Sequence, residues 1–482
     1  MAYRDLRDYL ATLEDRGKLR RIQKTVDHTW ELACLARWMF QALPEKDRFG
    51  LLFEQVKGFD IPVMTAVLGA SRETYAIALG TEPDQINDKW VQALLHPITP
   101  RLVETAPSQE VVLMGEDIDL NALPIPIWTP GKDAAPYITS VTISRDDDIG
   151  VQNAAVYRAM VQDKGHLAVL LAPNRHGTLC YESYVKKGKP APFAWVIGAE
   201  PVVHFSAVAN VLYETDELTI AGGLKGEPVD VVKAKTVDLL VPANAEFIIE
   251  GEFRPEEHTE EGPFGEFAGY MGPVTQKPLA TITAITHRKD PFYYGYISQM
   301  PPSESTTMQS LSNAGLIVKM LRNDLGHTSV KDAYIDLTFG GLLAHGIISM
   351  KPQYPGHAKQ VGRLVAGITP LKRVTVVDDD IDIRDPMHID WAMNSRFNPL
   401  RDTIIIDNVA TSAVLDPSIR VRNGEAEMGS KLVIDATEEQ KAGVFSFPPT
   451  DLMMKALDVW KEIGLPDFKI PKRVRSILDS NS

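Results

Sequence analysis

The chain has 482 residues, 44% of them hydrophobic and 24% charged, with a formal net charge of -14 and a pI of about 5.3. That length exceeds one typical core, so two or three domains are expected, and the composition is that of an ordinary soluble globular protein. The acidic balance argues against a nucleic-acid binder, and no window approaches the roughly 18 uncharged apolar residues of a membrane span. The two cysteines, Cys34 and Cys180, stand far apart and in no metal spacing. A disulfide framework and a thiolate zinc site are therefore unsupported, and the chain fits a reducing cytoplasm.

The first segment, MAYRDLRDYLATLEDRGKL, is charged throughout and reads as no signal peptide. Leu6, Tyr9, Leu10 and Leu13 recur at helical spacing, with Gly17 to end the helix. LLFEQV and PVMTAVLG read as strands, and 1–115 as a small α/β domain. From 116 to about 300 the chain is dense in β-branched, alternating segments: ITSVTIS, HLAVLLA, FAWVIGAEPVVHFSAV, VDVVKAKTVDLLV, AEFIIEGEF, LATITAITHR and FYYGYIS. Gly, Pro and Asn punctuate them as in an antiparallel sheet or barrel. Met308, Leu311, Ala314, Leu316, Met320 and Leu321 mark a helix over 305–325 that joins two domains. Beyond it, HGIISMK, RVTVVDDDIDI, DTIIIDNV and KLVIDAT read as strands. HAKQVGRLVAGI and PMHIDWAMNSRF read as helices between them, and DLMMKALDVWKEIG as an amphipathic helix near the end. The expected division is 1–115, 116–304, a linker helix at 305–325, and an α/β oligomerisation domain at 326–482.

The segment Glu261-Gly-Pro-Phe-Gly-Glu266 carries chemistry or is a solvated surface turn. Gly and Pro fix the backbone between two carboxylates, as proton transfer from a held acid requires. The segment Asn153-Ala-Ala-Val-Tyr-Arg158 ends in an arginine, whose planar fork could hold a carboxylate of a glutamate or a substrate. Asn153, His176 on the loop after HLAVLLAP, and Glu217 in Glu214-Thr-Asp-Glu217 form a mixed oxygen and nitrogen set. Such a set suits Mn²⁺ or Mg²⁺, though spacing alone does not group the three. The run VVDDDIDI at 376–383 reads as an acidic strand-to-helix connection before it reads as a metal site. No dinucleotide-binding glycine signature, P-loop or helical histidine pair is present.

Four motifs in order, QNAAVYRAMVQDKGHLAVLLAPNRH, EGPFGEFAGYMG, HGIISMKPQYPGHAKQVG and VVDDDIDIRDPMHIDWAMNSRFNPLRD, give the chain its resemblance to the UbiD family of decarboxylases. The resemblance runs along most of the chain. It implies a multidomain α+β fold, with a central flavin-reductase-like split β-barrel between N-terminal and C-terminal α/β domains. It implies prenylated FMN as cofactor, with Mn²⁺ or Mg²⁺ held by Asn153, His176 and Glu217, and K⁺ held mainly by backbone carbonyls. Ala154, Ala155, Val156, Tyr157, Arg158 and Arg175 would line the cofactor, and Lys351 would reach its phosphate. Arg158, Glu261 and Glu266 match the catalytic network, with Glu266 at the position of the proton donor.

The resemblance further implies a carboxy-lyase for a small aromatic or heteroaromatic acid, releasing CO₂. Its cofactor would come from a flavin prenyltransferase, and it would assemble as a dimer or dimer-based hexamer. Ala154 and Ala155 are small, and VATSAVLD at 409–416 lacks an aromatic, both consistent with a roomy pocket. The alternatives are an FMN-dependent oxidoreductase on the same barrel, a decarboxylase of an acrylic (cinnamic-type) acid, and a non-catalytic flavin-binding subunit.

Overall fold

The structure, a computed structural model, describes residues 3–339, 341–343, 345–409, 415–422, 425–438 and 445–480. The chain divides into two compact units: Met1–Lys319 with Leu337–Leu343 and Ser412–Glu427, and Met320–Asp336 with Ala344–Thr411 and Met428–Ser482. Among the described residues, no helix is long and apolar enough to cross a membrane.

The first helix forms where its leucines predict it, Leu6–Asp15, with Leu6, Tyr9, Leu10 and Leu13 buried and Asp5 capping the Asp8 amide. Strands Leu19–Ile22, Gly50–Phe53 and Val63–Thr65 follow in one small sheet, completed by Tyr293–Tyr294 from far along the chain. One apolar core extends from Leu6 to Leu311.

The centre of the first unit is a nine-stranded sheet. In chain order its strands are β1 (Val111–Met114), β2 (Tyr137–Ile138), β3 (Val141–Arg145), β4 (Gln152–Val156), β5 (Ala159–Val161), β6 (His166–Val169), β7 (Ala191–Ile197), β8 (Phe247–Glu261) and β9 (Thr275–His287). They lie in the order β2-β5-β6-β9-β8-β7-β3-β4, with β1 added beside β9. β4 ends one side of this order and β5 stands next to the opposite end. Only Tyr157 and Arg158 join them. A flat sheet would separate β4 from β5 by about 29 Å, at about 4.8 Å for each inter-strand step. Two linking residues span only about 11 Å. The sheet therefore curls until its ends meet, and Arg158 sits at the seam.

The stretch FAWVIGAEPVVHFSAV is not one β segment, contrary to expectation. β7 ends at Ile197, Gly198 turns the chain at φ 71°, and Pro201–Ser206 is a helix with Pro in its first turn. Proline at that position is pre-set for helix and gives up no needed hydrogen bond. The apolar run fits helix and strand alike because both are buried. The helix expected at 305–325 runs Glu304–Lys319 and continues as a π-helical turn, Met320–Asp324, that opens the second unit.

The second unit holds a five-stranded mixed sheet of β10 (Val330–Ile335), β11 (His345–Met350), β12 (Arg373–Asp378), β13 (Thr403–Val409) and β14 (Gly429–Ala436), in the order β10-β11-β12-β14-β13. β11, β12 and β14 run parallel. The helix His357–Ile368 is the crossover from β11 to β12, and Gly362 lets it approach Val433. Acidic 376–383 resolves as the strand-to-helix connection, with Asp378 and Asp380 both paired to Arg396. The expected helix near the end forms over Thr450–Glu462, with none of its residues buried. Most of the expected pocket segment 409–416 lies outside the described residues.

Gly315, in the helix Glu304–Lys319, has no room for a side chain: a Cβ there would lie 2.3 Å from Trp90 Cβ. Trp90 is fully buried and anchored by Nε1 donating to Tyr75 Oη at 2.9 Å. Gly315→Ala gains about 1 kcal/mol of helix propensity, but the clash with an anchored ring outweighs it. We expect a net loss of about 1–2 kcal/mol, read by calorimetry as a lower Tm.

Candidate active site

Arg158 leaves the seam between β4 and β5 and meets the end of β8. Its Nε donates to Glu261 Oε1 at 2.8 Å and its Nη2 to Glu261 Oε2 at 3.0 Å, a bidentate fork. Its Nη1 donates to Glu266 Oε1. Glu261 is fully buried and Glu266 nearly so, which removes the surface-turn alternative. The guanidinium lies over the Phe264 ring, 4.8 Å from its centroid. Burial lowers the Arg158 pKa, but hydrogen bonds and charges from Glu261 and Glu266 outweigh it, and the guanidinium is held above its ordinary value. Burial raises the Glu266 carboxyl, Arg158 pulls it back and the charge of Glu261 raises it again, for a net rise.

The backbone explains the placement. Glu261 is the last residue of β8, paired with Thr275 on β9. Gly262 turns at φ 98°, where a Cβ would meet Pro273 O at 2.6 Å. Phe264–Gly265 then pairs with Met271–Gly272 as a small hairpin, and the Glu266 amide donates to Tyr270 O at 2.7 Å. The two carboxylates are thus fixed from opposite ends of a five-residue step in the chain.

Tyr157, the other residue of the seam, leads to a second group. Its Oη accepts from the Gly177 amide at 2.8 Å, and its pKa is pushed up to about 12 by burial. A Cβ at Gly177 would lie 2.5 Å from the Tyr157 ring, so glycine alone lets helix His176–Val185 come this close. His176 and Glu217 are not loop residues as expected: each is the first residue of a helix, His176–Val185 and Glu217–Lys225. Asp216 caps the second by accepting from the Leu218 amide. His176 Nδ1 stands 3.7 Å from Glu217 Oε1, and Glu217 Oε2 accepts from the Ala154 amide at 2.7 Å. Burial raises the Glu217 carboxyl and His176 pulls it down, for a net rise.

Asn153 adjoins this pair on β4. Its Nδ2 donates to Ser144 Oγ at 3.2 Å, and its Oδ1 is buried with no hydrogen-bond partner. A buried acceptor without a donor is costly unless something occupies it. An amide oxygen, an imidazole nitrogen and a carboxylate are donor types that fit a hard or borderline divalent cation. A cavity of about 570 Å³ opens alongside, lined in part by Gln152 and Asp216, the chain neighbours of Asn153 and Glu217.

Of the remaining expected cofactor residues, Ala154 is buried, Ala155 and Val156 are partly buried, and Arg175 is the exposed residue preceding helix His176–Val185. Lys351 belongs to the second unit, one residue past β11, exposed, with its amide donating to Ser329 O. Sequence reasoning missed Ser144, which fixes the Asn153 amide, and Asp133, whose Oδ1 accepts from the Gly265 amide at 2.9 Å. Pro130-Gly131 signals a turn there, but nothing local indicates which segment the turn grips.

Family models for the 3-octaprenyl-4-hydroxybenzoate carboxy-lyase match residues 10–94 (N-terminal domain), 101–301 (Rift-related domain) and 306–436 (C-terminal domain). An evolved dimeric form of the UbiD-class enzyme HmfF from Pelotomaculum thermopropionicum, solved in complex with prFMN, is 33% identical; the match covers 93% of this chain and 98% of that one, with a TM-score of 0.81. Vanillic acid decarboxylase from Sedimentibacter hydroxybenzoicus is 29% identical, covering 96% and 99% with a TM-score of 0.82. The 3,4-dihydroxybenzoic acid decarboxylase of Enterobacter cloacae is 26% identical, covering 95% and 100% with a TM-score of 0.79. The chain belongs to the UbiD family. It is a carboxy-lyase with the mixed α+β, multidomain fold and curled sheet of that class.

Arg158→Ala leaves Glu261 and Glu266 buried together without their cation. Removing one partner of a buried pair costs about 3–5 kcal/mol. Glu266, already raised, loses the pull of Arg158, and its folded-state pKa rises further above the unfolded value of about 4.3. A proton taken up on folding then stabilises the variant at low pH, and that contribution is lost as pH rises. The Tm deficit against wild type is expected to widen from acidic to neutral pH. A deficit independent of pH would show that the arginine acts only by packing.

Proposed function

We propose that the enzyme decarboxylates an aromatic or heteroaromatic carboxylic acid, reversibly and without net oxidation, using prenylated FMN. The observation that carries this reading is the sharing of one buried guanidinium between Glu261 and Glu266. The prFMN complex of HmfF and the aromatic acids named for the similar decarboxylases support it.

Asn153, His176 and Glu217 would hold Mn²⁺ or Mg²⁺, which would neutralise the flavin phosphate. Ala154 to Arg158 and Arg175 would line the flavin, with K⁺ bound nearby by backbone carbonyls. When bound, the prenylated flavin supplies the sink for electrons released with CO₂.

The chain's own residues do the rest. Arg158 has five N–H groups, and three are used on the two glutamates. The other two are available to orient a substrate carboxylate. The bond from the ring carbon to the carboxylate breaks, its electron pair stays with the carbon, and CO₂ leaves. Glu266 delivers a proton to that carbon, forming the C–H bond, and is reprotonated from water. Its pKa, raised chiefly by burial, favours the protonated form that donates. Glu261 holds Arg158 through the bidentate fork.

A flavin prenyltransferase would supply the cofactor. We propose a cytoplasmic homodimer, or a hexamer built from dimers. The uncovered apolar residues of the helix Thr450–Glu462, Leu452 and Val459 among them, support an interface between copies. A division at 1–115, 116–304, 305–325 and 326–482 is part of the same proposal. The family models, at 10–94, 101–301 and 306–436, support three domains, with residues 101–115 in the central one and the helix after 305 in the C-terminal one.

Glu266→Gln keeps shape but cannot donate a proton. It is expected to lose turnover by about 10²–10⁴-fold, with flavin content unchanged and no solvent deuterium placed at the former carboxyl carbon. Near wild-type turnover would move the acid to another residue. His176→Ala is expected to lose metal and flavin together, measured by elemental analysis and absorbance; retention of both would remove His176 from the metal site.

A further inference from the structure

We propose that Asp133 is a positioning residue for the proton donor, holding the turn that carries Glu266 through the amide of Gly265. The inference rests on the reading of Glu266 as the acid and extends it to a residue outside the three-member network.

Four hydrogen bonds place Asp133. Its Oδ2 accepts from the Thr129 amide at 2.6 Å and its Oδ1 from the Gly265 amide at 2.9 Å. Its own amide donates to Thr129 O at 2.9 Å, and the next amide, Ala134, donates to Pro263 O at 3.1 Å. One carboxylate thus ties its own turn to the residue before Glu266, and the chain beside it ties to the residue before Phe264. The clamp is tight: a Cβ at Gly265 would meet Thr129 Oγ1 at 2.5 Å. On its other side Glu266 is fixed by its amide bond to Tyr270 O. The Glu266 backbone is therefore held from two directions, and Asp133 supplies one of them.

The residue type matters. Two backbone N–H groups meet two carboxylate oxygens, whereas asparagine offers one acceptor and sets an NH₂ against the other donor. Asp133 also faces the charge of Arg158. Burial pushes its pKa up to about 6, against the pull of the two amides and of Arg158. A carboxylate kept partly buried at that cost has work to do there beyond making a turn that water could serve.

The test uses enzyme loaded with prenylated FMN. Asp133→Asn is expected to keep flavin absorbance and KM for the acid, while kcat falls about 10²-fold, the cost of a misplaced reacting group. The solvent deuterium isotope effect on kcat is expected to rise, because proton delivery becomes limiting. Asp133→Glu retains a carboxylate and should recover part of kcat. Wild-type kcat in Asp133→Asn overturns the proposal. So does loss of kcat together with flavin content while the isotope effect stays unchanged, which marks a merely structural clamp. If Asp133→Asn fails to fold, Asp133→Glu decides by the same isotope effect. Glu266→Gln, assayed alongside, separates the two ideas: if it stays active, the donor assignment fails whatever Asp133 does.

Discussion

One guanidinium faces two buried carboxylates, and that mismatch of one unit of charge governs the site. With Arg158, Glu261 and Glu266 all ionised, the cluster carries a net negative charge away from water. A low-dielectric setting resists an uncompensated charge, so one carboxyl is driven toward its neutral form. The bidentate fork commits Arg158 first to Glu261. Glu266, held by a single guanidinium nitrogen, is the carboxyl that rises. Burial is the first cause of that rise, and the charge of Glu261 adds to it. Such a cluster is weak evidence for stability, because burying ions costs about what their pairing returns. Its retention in a buried setting therefore points to chemistry.

The curl of the sheet makes the cluster possible. Two residues, Tyr157 and Arg158, bridge the strand at one end of the strand order and the strand next to its other end. The two side chains at that seam serve different groups. Arg158 takes the glutamates, while Tyr157 accepts from Gly177 beside His176. The acid network and the proposed cation ligands are therefore adjacent through the backbone of a dipeptide. The proposed cofactor anchoring and proton delivery would share one element, as precise placement of reacting groups requires.

Regular elements were legible where one period dominated. The helix Leu6–Asp15 and the helix His357–Ile368 could be read from spacing, because each buries one stripe against a core. The run from Phe193 to Val208 misled, because residues buried all round erase the difference between periods of 2 and 3.6. His176 and Glu217 were found as residues but misplaced as loops. For Glu217 the helix start was written locally: Asp216 caps, an acid follows, and Gly226 closes the helix at φ 84°. Arg158, Glu261 and Glu266 were singled out from the residues themselves, as a rigid turn and an arginine. That they meet depends on sheet order, which no local pattern encodes. Asp133 and Ser144 escaped because their importance lies wholly in their partners.

Other buried or acidic groups of the chain are closed by partners within the fold. Glu304 is fully buried, yet it is surrounded by donors, the amides of Ala66 and Leu68 and the hydroxyl of Tyr294. Asp378 and Asp380, in the most acidic run of the chain, are answered by Arg396. These groups are closed, with their hydrogen bonds made inside the fold. Asn153 differs: Ser144 takes its amide N–H, and its oxygen is left buried and open. Arg158, by contrast, has all three guanidinium nitrogens engaged by its two glutamates. An unsatisfied buried group costs about 1–3 kcal/mol, which a fold sustains where a ligand returns it. An open polar atom alone does not mark the site, since buried atoms of Thr142, Trp195, His204 and Tyr293 also lack partners. What sets Asn153 apart is its neighbourhood: the next amide, Ala154, holds the Glu217 carboxylate, which stands 3.7 Å from His176.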